Sequence, residues 1–146
     1  MNDTGLPTGR RLTPQRRLIY EALVGTTVHP DAEQLIAMVH ERDSSVSVAT
    51  VYNTLRLLAD AGRILELRGL GPKTRYDANI GEHDHFTCRV CGGIEDIPRQ
   101  LDGIGRLRGS GLSRYRVEQL AVHARGVCAR CRNAATAPAR GADRLT

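Results

Sequence analysis

The sequence predicts an α+β chain in two parts: a winged helix-turn-helix unit followed by a smaller α/β unit. Three observations carry this. Three capped helices with apolar periodicity precede a hairpin pattern. From about Asn79 the helical pattern gives way to short strands. Two CxxC pairs, Cys88–Cys91 and Cys128–Cys131, bracket the second part.

Residues 1–9 read as a flexible arm, and residues 10–78 as the winged-helix domain. In "LTPQRRLIYEALV", Thr13 is placed to cap a helix and Pro14 suits its first position; Leu18, Ile19, Ala22 and Leu23 form the apolar stripe. In "DAEQLIAMVHER", Asp31 and Gln34 make a capping-box pattern ahead of Leu35, Ile36, Met38 and Val39. "SVATVYNTLRLLADAG" is the third helix, with Ser47 as cap, Val51, Leu55 and Leu58 inward, and Gly62 as the stop. Ile64–Leu67 and Thr74–Asp77 flank a turn rich in Gly and Pro and read as the wing. Residues 79–84 form a hinge, 85–133 the second domain, and 134–146 a disordered tail. Within the second domain, "HFTC" and "GGIEDI" are short strands, "RQLDGIGRLRGSG" has helical spacing, and "YRVEQLAVHARGVC" alternates like a strand.

The 146 residues fit one ordinary domain or two small ones. Aromatic residues are 3% and Trp is absent, so the cores are aliphatic and modest, and a structural metal would help so small a domain. No apolar run approaches the roughly 20 residues of a membrane span. The N-terminus lacks the apolar segment of a signal peptide. A cytoplasmic protein without a membrane partner is expected. The net charge of +5 suits a polyanion, but it is spread. Residues 1–80 carry 10 basic and 9 acidic side chains, so any nucleic acid must meet a local basic face.

In a reducing compartment, two CxxC pairs point to metal or redox use rather than disulfides. Four soft thiolates are the closed, tetrahedral arrangement of structural Zn2+. Gly92 and Gly93 permit the tight turn after the first pair. The 36 intervening residues exceed a simple ribbon, so other elements must fold back between the knuckles. In "EHDH", alternation points His83 and His85 the same way along an extended chain. Asp77 lies upstream, Asp96 on the strand beyond the knuckle, and His29 ahead of the second helix. Nitrogen and oxygen donors together suit Fe2+, Mn2+ or Zn2+, and softness alone does not choose. Solvated histidines and capping acids are the alternative that spacing leaves open.

The segments "LTPQR", "HPDAEQL", "SVATVYNTLRLLADAG", "TRYD", "HDHFTCRVCG" and "GVCARC" together resemble the ferric uptake regulator family, over about residues 10–132. The chain is most similar to the peroxide-responsive (PerR) branch. That resemblance implies a DNA-binding repressor whose C-terminal α/β domain carries a four-cysteine zinc site and forms a homodimer. It assigns a regulatory metal to His29, Asp77, His83, His85 and Asp96. An Asp at the last position accompanies the peroxide sensors, whereas iron-responsive members usually carry Glu. The iron regulators' additional histidine site is not reproduced, although Glu118 and His123 are loose candidates. The resemblance also implies that Fe2+ with H2O2 oxidises a ligand imidazole, His29 or His83, and so releases DNA, whereas Mn2+ does not.

Double-stranded operator DNA is the expected partner. On the third helix Ser47, Thr50, Tyr52, Asn53 and Arg56 can project away from the apolar stripe toward phosphates and base edges. Arg11, Arg16 and Arg17 can reach the backbone or minor groove, as basic residues near the first helix do in the family. The proposed ligands come from both sides of the hinge, so metal would set the angle between domains and with it the spacing of the reading helices. A metal-uptake regulator responding to Fe2+, Mn2+ or Zn2+ is the nearest rival. A metallohydrolase lacks HExxH or a nucleophile motif, and a thiol oxidoreductase needs a CxxC that opens a helix, which neither pair is expected to do.

Overall fold

The computed structural model describes residues 12–98, 111, 114–117 and 122–136. Arg11, the arm of residues 1–9, Glu118 and the helix expected in "RQLDGIGRLRGSG" fall outside the described residues, apart from Gly111.

Local chemistry sets the helices. Helix α1 spans Pro14–Val24, where the Thr13 side chain accepts from the Arg16 N–H. Helix α2 spans Ala32–His40 and carries the full capping box: Asp31 Oδ1 accepts from Gln34 N at 2.9 Å, and Gln34 Oε1 from Asp31 N at 3.0 Å. Helix α3 spans Val48–Asp60 and is capped by Ser47. Gly62, at φ +64°, adopts the left-handed turn that stops it. Ile19, Leu23, Leu35, Val39, Val51, Leu55 and Leu58 are each at most 2% exposed and form the core among the three helices. Thr54, unexpected among them, is buried because its hydroxyl donates to the Thr50 carbonyl within the helix.

The wing is a two-stranded antiparallel sheet, β1 (Leu65–Leu67) with β2 (Arg75–Asp77). Ile64, expected in the first strand, instead enters the core just before it. Strand β2 is tied to the entry of α2. The Tyr76 N–H donates to the Pro30 carbonyl at 3.0 Å, and Arg75 Nη1 donates to the His29 carbonyl and to Gln34 Oε1. His29 and Asp77 are thereby held by one small knot of backbone.

The second unit is a three-stranded sheet in the order β4 (Ile94–Pro98), β3 (His83–Cys88), β5 (His123–Gly126). Strand β3 runs antiparallel to β4 and parallel to β5. It begins inside the expected hinge of residues 79–84. Helix α4 (Ala129–Thr136) follows and corrects two expectations. The second CxxC does sit at a helix start, and the chain is helical for three residues of the segment read as disordered tail. Alanines 129, 134 and 135 are good helix formers, which the Ala/Arg/Pro composition of the segment obscured.

Leu35→Ala should lower unfolding stability by about 2–5 kcal/mol through the cavity it leaves. Asp31→Ala, which removes the cap and a 3.8 Å ion pair with the exposed Lys73, should cost about 1 kcal/mol. Urea unfolding of the two variants against the wild type checks the order.

Candidate metal centres

The four cysteines converge from two knuckles. Gly92, at φ +69°, closes the first, its N–H donating to the Cys88 carbonyl while Cys88 N donates to the Gly93 carbonyl. Cys128 and Cys131 arrive on the start of α4. All four sulfur atoms lie within 4.8 Å of one another. Cys91 and Cys128 Sγ are 3.9 Å apart. A tetrahedron of Zn–S bonds near 2.3 Å puts sulfurs about 3.8 Å apart, so the set fits Zn2+ and is too wide for a disulfide. None of the four is in a disulfide. Backbone N–H groups, that of Cys128 first, bring the Cys88 thiol down to about 6. Its hydrogen bond to Cys128 pushes Cys131 up to about 12. Four adjacent thiols resist complete ionisation until a cation balances them.

A second set gathers where the wing meets the sheet. Register places His85 opposite Asp96 on neighbouring strands, and His83, two residues earlier, shares their face. His29 Nε2 lies 2.8 Å from Asp96 Oδ1 and 3.5 Å from Asp77 Oδ2. His83 Nε2 is 2.8 Å from Asp77 Oδ2, 3.0 Å from His85 Nε2 and 3.5 Å from Asp96 Oδ1. His85 Nε2 is 3.5 and 3.8 Å from the same two oxygens. One oxygen of each carboxylate is thus ringed by the same three imidazoles. One donor atom each from His29, Asp77, His85 and Asp96 lies within 4.8 Å of the other three, a spread one ion can bridge; His83 stands beside this set, against Asp77 and His85, rather than within it. Three neutral imidazoles, two carboxylates and a divalent ion sum to zero charge, which suits a site where His29 and Asp77 are buried.

Two of the imidazoles are held from behind. His29 Nδ1–H donates to the Ile94 carbonyl at 3.1 Å, and His83 Nδ1–H to the Gly81 carbonyl at 2.8 Å. Each bond leaves Nε2 as the ligating nitrogen. Burial alone pushes His29 down, but the hydrogen bond to Asp77 and the charges of Asp77 and Asp96 prevail and raise it. Asp77 is raised by burial, yet its His29 contact, the Asn79 N–H and the histidine charges bring it to about 2. His85 is lowered by burial and then by the His83 charge. A proton on His29 therefore partly takes the place of a cation between the carboxylates.

The Ile94 and Gly81 carbonyls and the side chain of Asn79 escaped the sequence reading. Only the Asx-turn pattern of "DANIG" hinted at the last of these. His123 is engaged elsewhere, its Nε2 lying 2.7 Å from Thr87 Oγ1.

The candidate DNA contacts separate into two kinds. Tyr52, Asn53 and Arg56 are exposed on α3, and Arg16 and Arg17 are half-buried on α1. Ser47 and Thr50 are committed to the cap: Ser47 Oγ accepts from Thr50 N at 3.0 Å and pairs with its hydroxyl at 2.8 Å. Lys73, at the wing, is drawn to Glu33 Oε2 at 2.6 Å.

The family model described as "Ferric uptake regulator family" matches residues 7–107. The peroxide operon regulator of Bacillus subtilis is 34% identical over 125 residues, covering 85% of this chain and 86% of its own. The solved peroxide stress regulator of Campylobacter jejuni superposes with a TM-score of 0.66 at 31% identity, over 81% of this chain and 89% of that one. A zinc-bound manganese uptake regulator gives 0.66 at 29% identity, over 82% and 92%.

The cysteine geometry predicts one Zn2+ per chain, retained in reductant against a mild chelator. Cys91→Ser should lose that zinc and with it the ordered second unit, which elemental analysis and circular dichroism would reveal.

Proposed function

Because the chain belongs to the ferric uptake regulator family, we propose that it is a metal-dependent transcriptional repressor that senses peroxide. One observation carries the reading. A pair fixed in the winged helix, His29 and Asp77, comes within 4.8 Å of His85 and Asp96 on the sheet, with His83 alongside at 2.8 Å from Asp77. An ion there draws both units to one angle, and in a homodimer that angle sets the separation of the two α3 helices on operator DNA. Metal and operator each strengthen the other's binding by the same factor.

Cys88, Cys91, Cys128 and Cys131 hold structural Zn2+, and the five nitrogen and oxygen donors hold Fe2+ or Mn2+. Tyr52, Asn53 and Arg56 face the major groove, with Arg16 and Arg17 toward the backbone. Ser47 and Thr50 offer the α3 N-terminus to a phosphate through the cap they build. Arg11 is assigned to the same DNA face. Among the described residues no helix is long and apolar enough to cross a membrane. On its family membership we assign the chain as a cytoplasmic regulator and not an enzyme.

Bound Fe2+ would supply the reductive cleavage of the peroxide O–O bond beside the ligand imidazoles. A cleft of about 600 Å3, lined by Val28, His29, Ala78, Asn79 and Asp96, gives small solutes a way in. His29 and His83 each present Nε2 to the site and are anchored through Nδ1, so a ring altered by oxidation cannot swing a second nitrogen into place. Loss of either ring as a donor separates the two units and frees the DNA. The peroxide regulators among the relatives support this reading, as does Asp96. A second reading, a metal-uptake regulator responding to Fe2+, Mn2+ or Zn2+ without peroxide chemistry, is favoured by the likeness to the manganese uptake regulator.

Peptide mass spectrometry separates them. Fe2+-loaded protein treated with stoichiometric peroxide should gain one oxygen on the His29 or His83 peptide and lose operator binding, and Mn2+-loaded protein should do neither. Unmodified peptides together with intact DNA binding would leave the uptake reading standing. His29→Ala should abolish metal-stimulated DNA binding while zinc content stays at one per chain.

A further inference from the structure

We infer that Asn79 is a positioning residue that fixes both carboxylate ligands and makes each offer a single oxygen to the metal; this rests on the metal reading above. Asp77 and Asp96 each have one oxygen facing the three imidazoles. Their outer oxygens are both claimed by Asn79. Its backbone N–H donates to Asp77 Oδ1 at 2.7 Å, and its Nδ2 donates to Asp96 Oδ2 at 3.1 Å. The remaining amide oxygen, Oδ1, accepts from the Gly81 N–H at 3.2 Å. The orientation of the amide follows from chemistry: a carboxylate requires a donor, and the Gly81 N–H requires an acceptor. The Gly81 carbonyl in turn accepts from His83 Nδ1–H.

One hinge residue therefore touches the carboxylate of the winged helix, the carboxylate of the sheet, and the turn that aims His83. Asp96 is the only one of the five ligands that is exposed, so it is the one most in need of an external restraint. With Oδ2 held, Asp96 cannot rotate to chelate through both oxygens, and the coordination sphere is kept to one donor from each residue. Restraints of this kind on ligating groups are commonly worth about 10–100-fold in metal affinity.

The test compares Asn79→Ala, Asn79→Asp and wild-type protein, all loaded with zinc, in Mn2+ titrations by calorimetry and by Mn2+ electron paramagnetic resonance. Asp builds an Asx turn as well as Asn does. If Asn79 only shaped the turn, Asn79→Asp would bind like the wild type and Asn79→Ala would be the weaker variant. The proposal predicts the reverse order: Asn79→Ala weakens Mn2+ binding about 10-fold or more, and Asn79→Asp, which brings a third carboxylate against Asp96, weakens it further. The resonance of the bound ion should also broaden or shift in both. Wild-type affinity in Asn79→Asp overturns the assignment. A wild-type protein that binds no Mn2+, or binds it undiminished in His29→Ala, overturns the metal reading and the Asn79 assignment with it.

Discussion

The seating of the His29 ring holds the two halves of the molecule in register. Its backbone belongs to the winged helix, where Arg75 grips its carbonyl. Its side chain lies in the other half, with Nδ1 on the Ile94 carbonyl and Nε2 beside Asp96. A buried imidazole satisfied on both nitrogens is costly to withdraw, because each partner would lose its hydrogen bond together. Ile94 and Asp96 both lie on β4, so this single ring reads the position of the strand. The wing contributes Asp77 from the same knot of chain, and the two inputs arrive as a unit.

Much of this was legible in the sequence, for reasons that are local. Thr13, Asp31 with Gln34, and Ser47 announce helix starts because capping involves atoms three residues apart. The HxH spacing announces a shared face because strand side chains alternate. The paired cysteines announce convergence because few other arrangements use four thiols. The rest depends on the fold. No feature of Ile94 as a residue type marks its carbonyl as the support for an imidazole 65 positions away. Asn79 reads as a turn residue, and its grip on Asp96 exists only once β4 is beside the hinge. The second CxxC was read outside a helix because the alanines that propagate α4 sit in a composition that otherwise signals disorder.

The two centres divide their labour by donor chemistry. Sulfur donors enclose their ion on all four sides and leave no position for another molecule. The nitrogen and oxygen donors include an exposed carboxylate and border an open cleft. In the proposed reading, exchange is confined to the centre that spans the two units, where gain or loss of an ion would change the angle between them. Strand β3 carries candidate ligands of both at its two ends.

That shared strand has a consequence for time. His85 and Cys88 are three residues apart, about 10 Å along an extended chain. The ladder between them is bonded on both edges, to β4 and to β5. Injury to a ligand at one end need not loosen the sulfur cluster at the other. If peroxide acts as proposed, a spent molecule would persist as a folded, paired, inactive protein. Silence would then return only as fresh chains replace old ones. The memory of an oxidant pulse would be kept by protein turnover and dilution, on the scale of growth rather than of chemistry.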